Sequence, residues 1–278
     1  MHEDQGRLRR SASLAAVFLL LIFCGAWLRP ADDGGPRRLS ALAGGRDEAC
    51  LPDFAAITDV RARKLEFFAY LLPLVARENE RLAGQRRRLE GIRDRLWYDG
   101  RLTAEDYRWL VTMAADYRVA FDDPEAATFW QRILRRVDAV PERLVLIQAA
   151  VESAWGTSRF AREGNNLFGQ WCFRPGCGLV PSERAEEATH EVATFATVRA
   201  AVAAYLWNLN TGATYTGLRE IRSRLRARGQ YPRADALAVG LAGYSERRQD
   251  YVADLMLMIR QNDVLIDEAQ RRLRKEAI

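Results

Sequence analysis

Pro141-Glu142-Arg143-Leu144-Val145-Leu146-Ile147-Gln148-Ala149-Ala150-Val151-Glu152-Ser153-Ala154-Trp155-Gly156 reads as one helix with two unlike faces. Pro141 suits a first turn, where no intrahelical donor is needed, and Glu142 sits near the positive helix end. Leu144, Ile147 and Val151 recur at steps of three and four and form a buried stripe. Gln148, Glu152 and Trp155 fall on a second face at similar steps. Trp155-Gly156 stops the helix. A carboxyl at this end, beside an indole and small residues, is partly desolvated yet open to a cleft, which raises its pKa and equips it to donate a proton. An ordinary surface glutamate near a helix end is the plain alternative that spacing leaves open.

Immediately downstream, Trp155, Phe168 and Trp171 offer flat faces, and Asn165, Asn166 and Gln170 offer amides that donate and accept. Together they suit a groove for a polymeric sugar, while two asparagines before an apolar pair equally suit a turn that caps its own backbone. Between Asn165 and Val198 glycine and proline accumulate and helical periodicity fails; Leu179-Val180 and Glu191 to Phe195 read as short strands. Helices resume over 198–209, 215–228, 235–241 and 248–262, before a charged, peripheral tail over 266–278. Upstream, the spacing predicts a helix over 57–96, kinked at Pro73, another starting at Thr103 with Asp106 in the manner of a capping box, and a third from Asp123 or Pro124 to Val137. The chain thus divides into a basic segment over 1–10, an apolar segment over 11–28, a Gly/Pro-rich linker over 29–55, a helical scaffold over 56–120, a catalytic domain over 121–265 and the tail.

With 49% hydrophobic and 28% charged residues the chain has the composition of a folded protein. Its net charge of +5 comes from basic residues spread among acids, with no zinc-finger spacing or RNA-binding aromatic signature, so nucleic acid is not an expected partner. Arg7, Arg9 and Arg10 precede the uncharged stretch Ser11 to Leu28, which as a helix spans roughly 27 Å and is expected to be a signal-anchor, basic end inside. Export makes a disulfide between Cys172 and Cys177 the expected state of the Pro/Gly-rich loop they flank. Zinc is the rival reading, but two cysteines with His190 make a poor donor set, and no metal or cofactor is expected. His190 reads as a loop-packing residue, and Ser153 has no histidine at a triad spacing.

Glu152-Ser153-Ala154-Trp155-Gly156-Thr157-Ser158 followed by Asn165-Asn166-Leu167-Phe168-Gly169 resembles the motif of the bacterial glucosaminidase family of peptidoglycan hydrolases. The similarity continues through Phe195 to Val202, Tyr205 to Asn210 and Leu241 to Tyr251, covering roughly half the chain. The resemblance implies a mainly α fold: a lysozyme-like α+β catalytic domain with a small β-lobe, here preceded by a helical region and the transmembrane helix. It implies Glu152 as the acid that protonates the leaving oxygen, with Tyr244 and Tyr251 in the groove beside it. Relatives place a second carboxylate in the β-lobe, where Glu191 is preferred, then Glu187. Retaining, inverting and substrate-assisted routes all stay open. The implied substrate is the β-1,4 bond after N-acetylglucosamine in peptidoglycan or a related N-acetylated glycan. Muramidase, lytic transglycosylase and a noncatalytic glycan-binding scaffold are the rivals. The implied location is the bacterial inner membrane, single pass, with the catalytic domain facing the periplasm.

Overall fold

A computed structural model describes residues 51–182, 184, 188–245 and 249–276. After a short 3-10 turn at Phe54–Ala56, helix α1 spans Val60–Asp99. Asp59 caps its start by accepting from the Ala62 amide, and Gly100 ends it in the left-handed conformation, at φ 63°. Pro73 lies inside α1 without ending it. Helix α2 follows over Ala104–Asp116, with the Thr103 hydroxyl accepting from the Asp106 amide as expected. Asp106 does not close a capping box; its carboxylate pairs with Arg95 and Arg88 of α1. Helix α3 covers Ala127–Arg136, starting later than expected because Asp123 and Pro124 form a turn whose carbonyl holds the Trp130 indole N–H.

Helix α4 spans Glu142–Glu152, from just after Pro141 to the candidate acid. The short α5 spans Arg159–Gly164. The irregular insertion then forms β1 (Trp171–Cys172), β2 (Gly178–Leu179) and β3 (Glu191–Ala193), an antiparallel sheet in the order β1-β3-β2. Trp171 faces Val192, and Gly178 faces Ala193. A Cβ on Gly178 would stand 2.0 Å from the Val192 carbonyl oxygen, so the close approach of β2 to β3 requires glycine. Helices α6 (Val198–Thr211), α7 (Thr216–Ala227), α8 (Ala234–Ala238) and α9 (Gln249–Glu276) complete the order.

The tail expected to be peripheral is helical to Glu276. Its apolar stripe simply continues, with Ile266 and Ala269 fully buried beyond Ile259 and Asn262. Charged residues on the other faces of the same stretch pair outward, Glu268 with Arg61 and Arg272 with Glu66. α4 is packed by α1 on one side and α9 on another, and the buried apolar residues of all three join one cluster.

The anchor expected over 11–28 lies outside the described residues. Among the described residues no helix is long and apolar enough to cross a membrane. Even α1, at 40 residues, carries its apolar side chains on a stripe and charges elsewhere, whereas a lipid-facing helix needs apolar residues all round. The fold is therefore corrected to a mainly helical one with a three-stranded β-lobe. The transmembrane helix, the membrane as a partner and the single-pass inner-membrane, periplasm-facing location are withdrawn with it.

Candidate active site

α4 ends on Glu152, and the chain turns sharply there. Ala154 and Trp155 both take left-handed backbone conformations, at φ 49° and 61°, followed by Gly156 at 77°. Such conformations cost non-glycine residues about 1 kcal/mol or more each, so something must hold them. Ser153 does much of this: its hydroxyl donates to the Ala149 carbonyl at 2.6 Å and accepts from the Gly156 amide at 2.8 Å. The Trp155 amide also returns to the Ala150 carbonyl at 2.9 Å. From below, Phe54 presses so close that a Cβ on Gly156 would lie 2.6 Å from its ring.

Glu152 keeps part of its surface open to solvent, yet protein surrounds most of its carboxyl. This burial pushes its pKa up to about 7, against the opposing effect of a hydrogen bond from Tyr251. The Tyr251 hydroxyl donates to Glu152 Oε1 at 3.0 Å. Behind it, the fully buried Gln148 donates through Nε2 to the Tyr251 hydroxyl at 3.1 Å, and Gln148 Oε1 accepts from the Tyr205 hydroxyl. Each member fixes the next. Because the amide oxygen serves Tyr205, the amide nitrogen faces Tyr251, whose own proton is left for Glu152.

Oε2 is the oxygen without this partner, and it faces the backbone of Gly169, where a Cβ would come to 4.0 Å. Tyr244 stacks on Tyr251 with ring centroids 5.3 Å apart, and its hydroxyl donates to the Phe168 carbonyl at 2.8 Å. Burial, together with the nearby Glu152 charge, holds both phenols well above the ordinary tyrosine range. They therefore stay neutral O–H donors.

The other expected residues divide differently. Phe168 is buried and stacked on Tyr205 at 4.0 Å, which makes it part of the wall behind the site. Trp155 meets Phe67 and Phe68 of α1 edge-on at 5.8 and 5.4 Å, with the Lys64 ammonium 4.6 Å above its ring, so its faces serve packing. Asn165 ends α5 in the left-handed conformation and donates to the Phe195 carbonyl. Asn166, 1% exposed, accepts from the Phe168 and Gln170 amides and donates to the Gln170 and Ala193 carbonyls. It pins the β-lobe to the second motif and has nothing left for a sugar. Gln170 donates to the Ala201 carbonyl while staying half-buried, and Trp171 stacks on His190 at 3.9 Å at the edge of the lobe.

Glu191 is not placed as a second catalytic carboxylate. Its two oxygens accept from the Gly176 and Gly178 amides at 2.9 and 2.8 Å, and these bonds hold its pKa below the usual range. They order the loop closed by the Cys172–Cys177 disulfide, whose Cα atoms are 6.2 Å apart. Those cysteines and Glu191 lie within 4.8 Å of one another as metal ligands would, but sulfurs bonded to each other have no thiolate to offer. Glu187 lies outside the described residues.

Residues 127–264 match the family described as glucosaminidase, mannosyl-glycoprotein endo-beta-N-acetylglucosaminidase. The chain is also 32% identical over 216 residues to Protein bax of Escherichia coli strain K12, across 78% of this chain and 76% of that protein. The chain belongs to the glucosaminidase family. No solved structure matches it. As a glucosaminidase it is a glycoside hydrolase acting on N-acetylated glycans. The matched segment begins at α3 and leaves α1 outside, although α1 supplies the aromatic floor under Trp155. Residue type and spacing alone do not reveal the roles of Gln148 and Tyr205 behind the acid. The available signal was a lone amide four residues before Glu152 among apolar neighbours, since a buried amide must find partners.

Proposed function

We propose that this glucosaminidase hydrolyses the β-1,4 bond after N-acetylglucosamine in peptidoglycan, with Glu152 as the general acid. The observation that carries the proposal is the Glu152 carboxyl itself, enclosed, held near pKa 7 and fixed through one oxygen by Tyr251. At neutral pH a substantial fraction is protonated, and with Oε1 occupied the proton sits on Oε2. That oxygen protonates the glycosidic oxygen as the bond to C1 breaks; the electron pair leaves with the oxygen, and water supplies the hydroxyl that finally stands on C1. Tyr251 positions the acid. Tyr244, stacked against it, supports the groove wall next to the reacting sugar. With Glu191 committed to backbone amides, the acids that the sequence leaves for the second role, Glu183, Glu186 and Glu187, all lie outside the described residues.

The test compares wild type with Glu152→Gln on purified peptidoglycan, measuring both binding and turnover. Retained binding with turnover reduced by about a thousandfold or more supports the acid, and equal turnover by both proteins refutes it. Mass analysis of the wild-type digest reads the bond: reducing N-acetylglucosamine is expected, while reducing N-acetylmuramic acid or anhydro ends would replace this reading with a muramidase or a lytic transglycosylase.

A further inference from the structure

A second cleft, remote from Glu152, lies between the far half of α1, α3 and α7. Its volume is about 440 Å³, and five arginines line it: Arg86, Arg93, Arg135, Arg222 and Arg226. That volume falls in the range of small-ligand sites, about 300 to 1,000 Å³. On α1, Trp97 at its rim is 29 residues beyond Phe68, which touches Trp155, a separation of roughly 40 Å along the helix.

The floor is rigid. Arg222 is fully buried, donating to the carbonyls of Arg135, Asp138 and Ala139 and to Asn210 Oδ1. Burial lowers its pKa only to about 10, so it remains a cation. One acid, Asp138, lines the wall, and it is shared by Arg226 at 2.9 Å, Arg86 at 3.5 Å and Arg222 at 3.6 Å. Glu90 meets Arg86, and Asp94 meets Arg93. Even with these counted, guanidiniums outnumber carboxylates. Arg135 is exposed at the end of α3, and among the described residues its side chain has no acidic partner.

At the rim, Trp97 is 57% exposed, with the Arg93 guanidinium 5.3 Å from its ring centroid. An indole left in water beside the Arg93–Asp94 pair, in a cleft that also holds Arg135 without an acidic partner among the described residues, presents two chemistries at once: a flat apolar face for a sugar ring, and a forked donor that matches a carboxylate. We propose that this cleft is a second glycan site, which takes a saccharide carrying carboxylate groups. Held there, a polymer strand stays at high local concentration while Glu152 acts on another part of it. The proposal concerns binding alone and stands or falls apart from the role of Glu152.

The experiment titrates the full-length protein with hyaluronan hexasaccharide, which alternates N-acetylglucosamine with glucuronate. Chitohexaose serves as the neutral comparison and a single-stranded DNA dodecamer as a non-sugar polyanion. Arg135→Glu and Trp97→Ala change exposed side chains outside the core, and unchanged unfolding midpoints will show that both variants fold. Each is expected to weaken hyaluronan binding about tenfold while leaving chitohexaose binding and turnover unaltered. Wild-type affinity for hyaluronan no greater than for chitohexaose overturns the proposal. So does hyaluronan binding that survives both substitutions. If Arg135→Glu weakens hyaluronan and DNA alike while Trp97→Ala changes neither, the cleft is a general polyanion patch, and the glycan assignment is also overturned.

Discussion

Glu152 is held protonated at a cost that depends on pH. Its pKa of about 7 in the folded protein stands above the ordinary 4.5, so between those values the native state keeps a proton that the unfolded chain has released. Native stability therefore falls as pH rises through this window, by about 3 kcal/mol in total. Glu152→Gln removes the titration, and its advantage over wild type should grow from near zero at about pH 4 to about that amount above pH 7, read by urea unfolding at a series of pH values. Activity of the wild type should decline above about pH 7, as the acid loses its proton. Gln148→Leu, by contrast, strands the buried Tyr205 hydroxyl, worth about 1 to 3 kcal/mol when unsatisfied, and removes the amide that steadies Tyr251, which then holds Glu152 with no support behind it. We expect kcat to fall by about tenfold to a hundredfold with KM nearly unchanged, and a rise in KM with kcat little changed would argue for a groove defect. The sequence singled out Glu152 by its place on a helix face and by the motif around it, and its enclosed carboxyl is what the proposal builds on. Between a groove and a self-capping turn the sequence left Asn166 open, because residue type gives bonding capacity without saying where it is spent. An amide that suits a sugar also suits four backbone groups, and only packing decides between them.

Two short elements set the position of that acid. The turn after α4 depends on Gly156, whose φ of 77° and contact with Phe54 both exclude a side chain. Gly156→Ala should cost about 2 to 4 kcal/mol and lower the melting temperature, with activity declining as the turn shifts. A thermal melt matching wild type would show that the turn relaxes freely. The β-lobe is held differently, by a disulfide, by Asn166 and by the Glu191 carboxylate across the loop amides. Glu191→Gln keeps an acceptor there, so turnover should stay within about tenfold of wild type, far above the Glu152→Gln level. A loss equal to that of Glu152→Gln would restore Glu191 as a catalytic group. Long elements were readable from period: the stripes of α1, α4 and α6 emerged close to their observed bounds. The β-lobe emerged only as an interruption, because strands of two or three residues have no period to detect.

At the scale of the whole molecule, the glucosaminidase match and the core have different limits. The match begins at residue 127, whereas the apolar cluster runs without a break from α1 into α4, α6 and α9. α1 contributes Phe67, Phe68, Leu71 and Val75 to that cluster, and its buried Glu78 pairs with Arg81 and, across to α6, with Arg199 at 2.7 Å. Breaking one side of a buried ion pair costs about 3 to 5 kcal/mol, and removing the helix also exposes the apolar faces it covers. The full chain should therefore unfold in one step, with tryptophan fluorescence and far-UV circular dichroism tracing the same urea transition. A piece beginning at residue 101 should keep helical signal but lose near-UV dichroism and bind a hydrophobic dye, because α4 and α9 then lack the surface that aligns them. The alternative is a catalytic domain complete from residue 121 with α1 as an accessory, and it makes the opposite prediction: a sharp transition for the shorter piece and measurable turnover. The aromatic contacts decide the expectation, since Trp155, three residues from the acid, rests on Phe67 and Phe68. Without α1 that floor is gone, and the left-handed turn that aims Glu152 loses one of the surfaces supporting it.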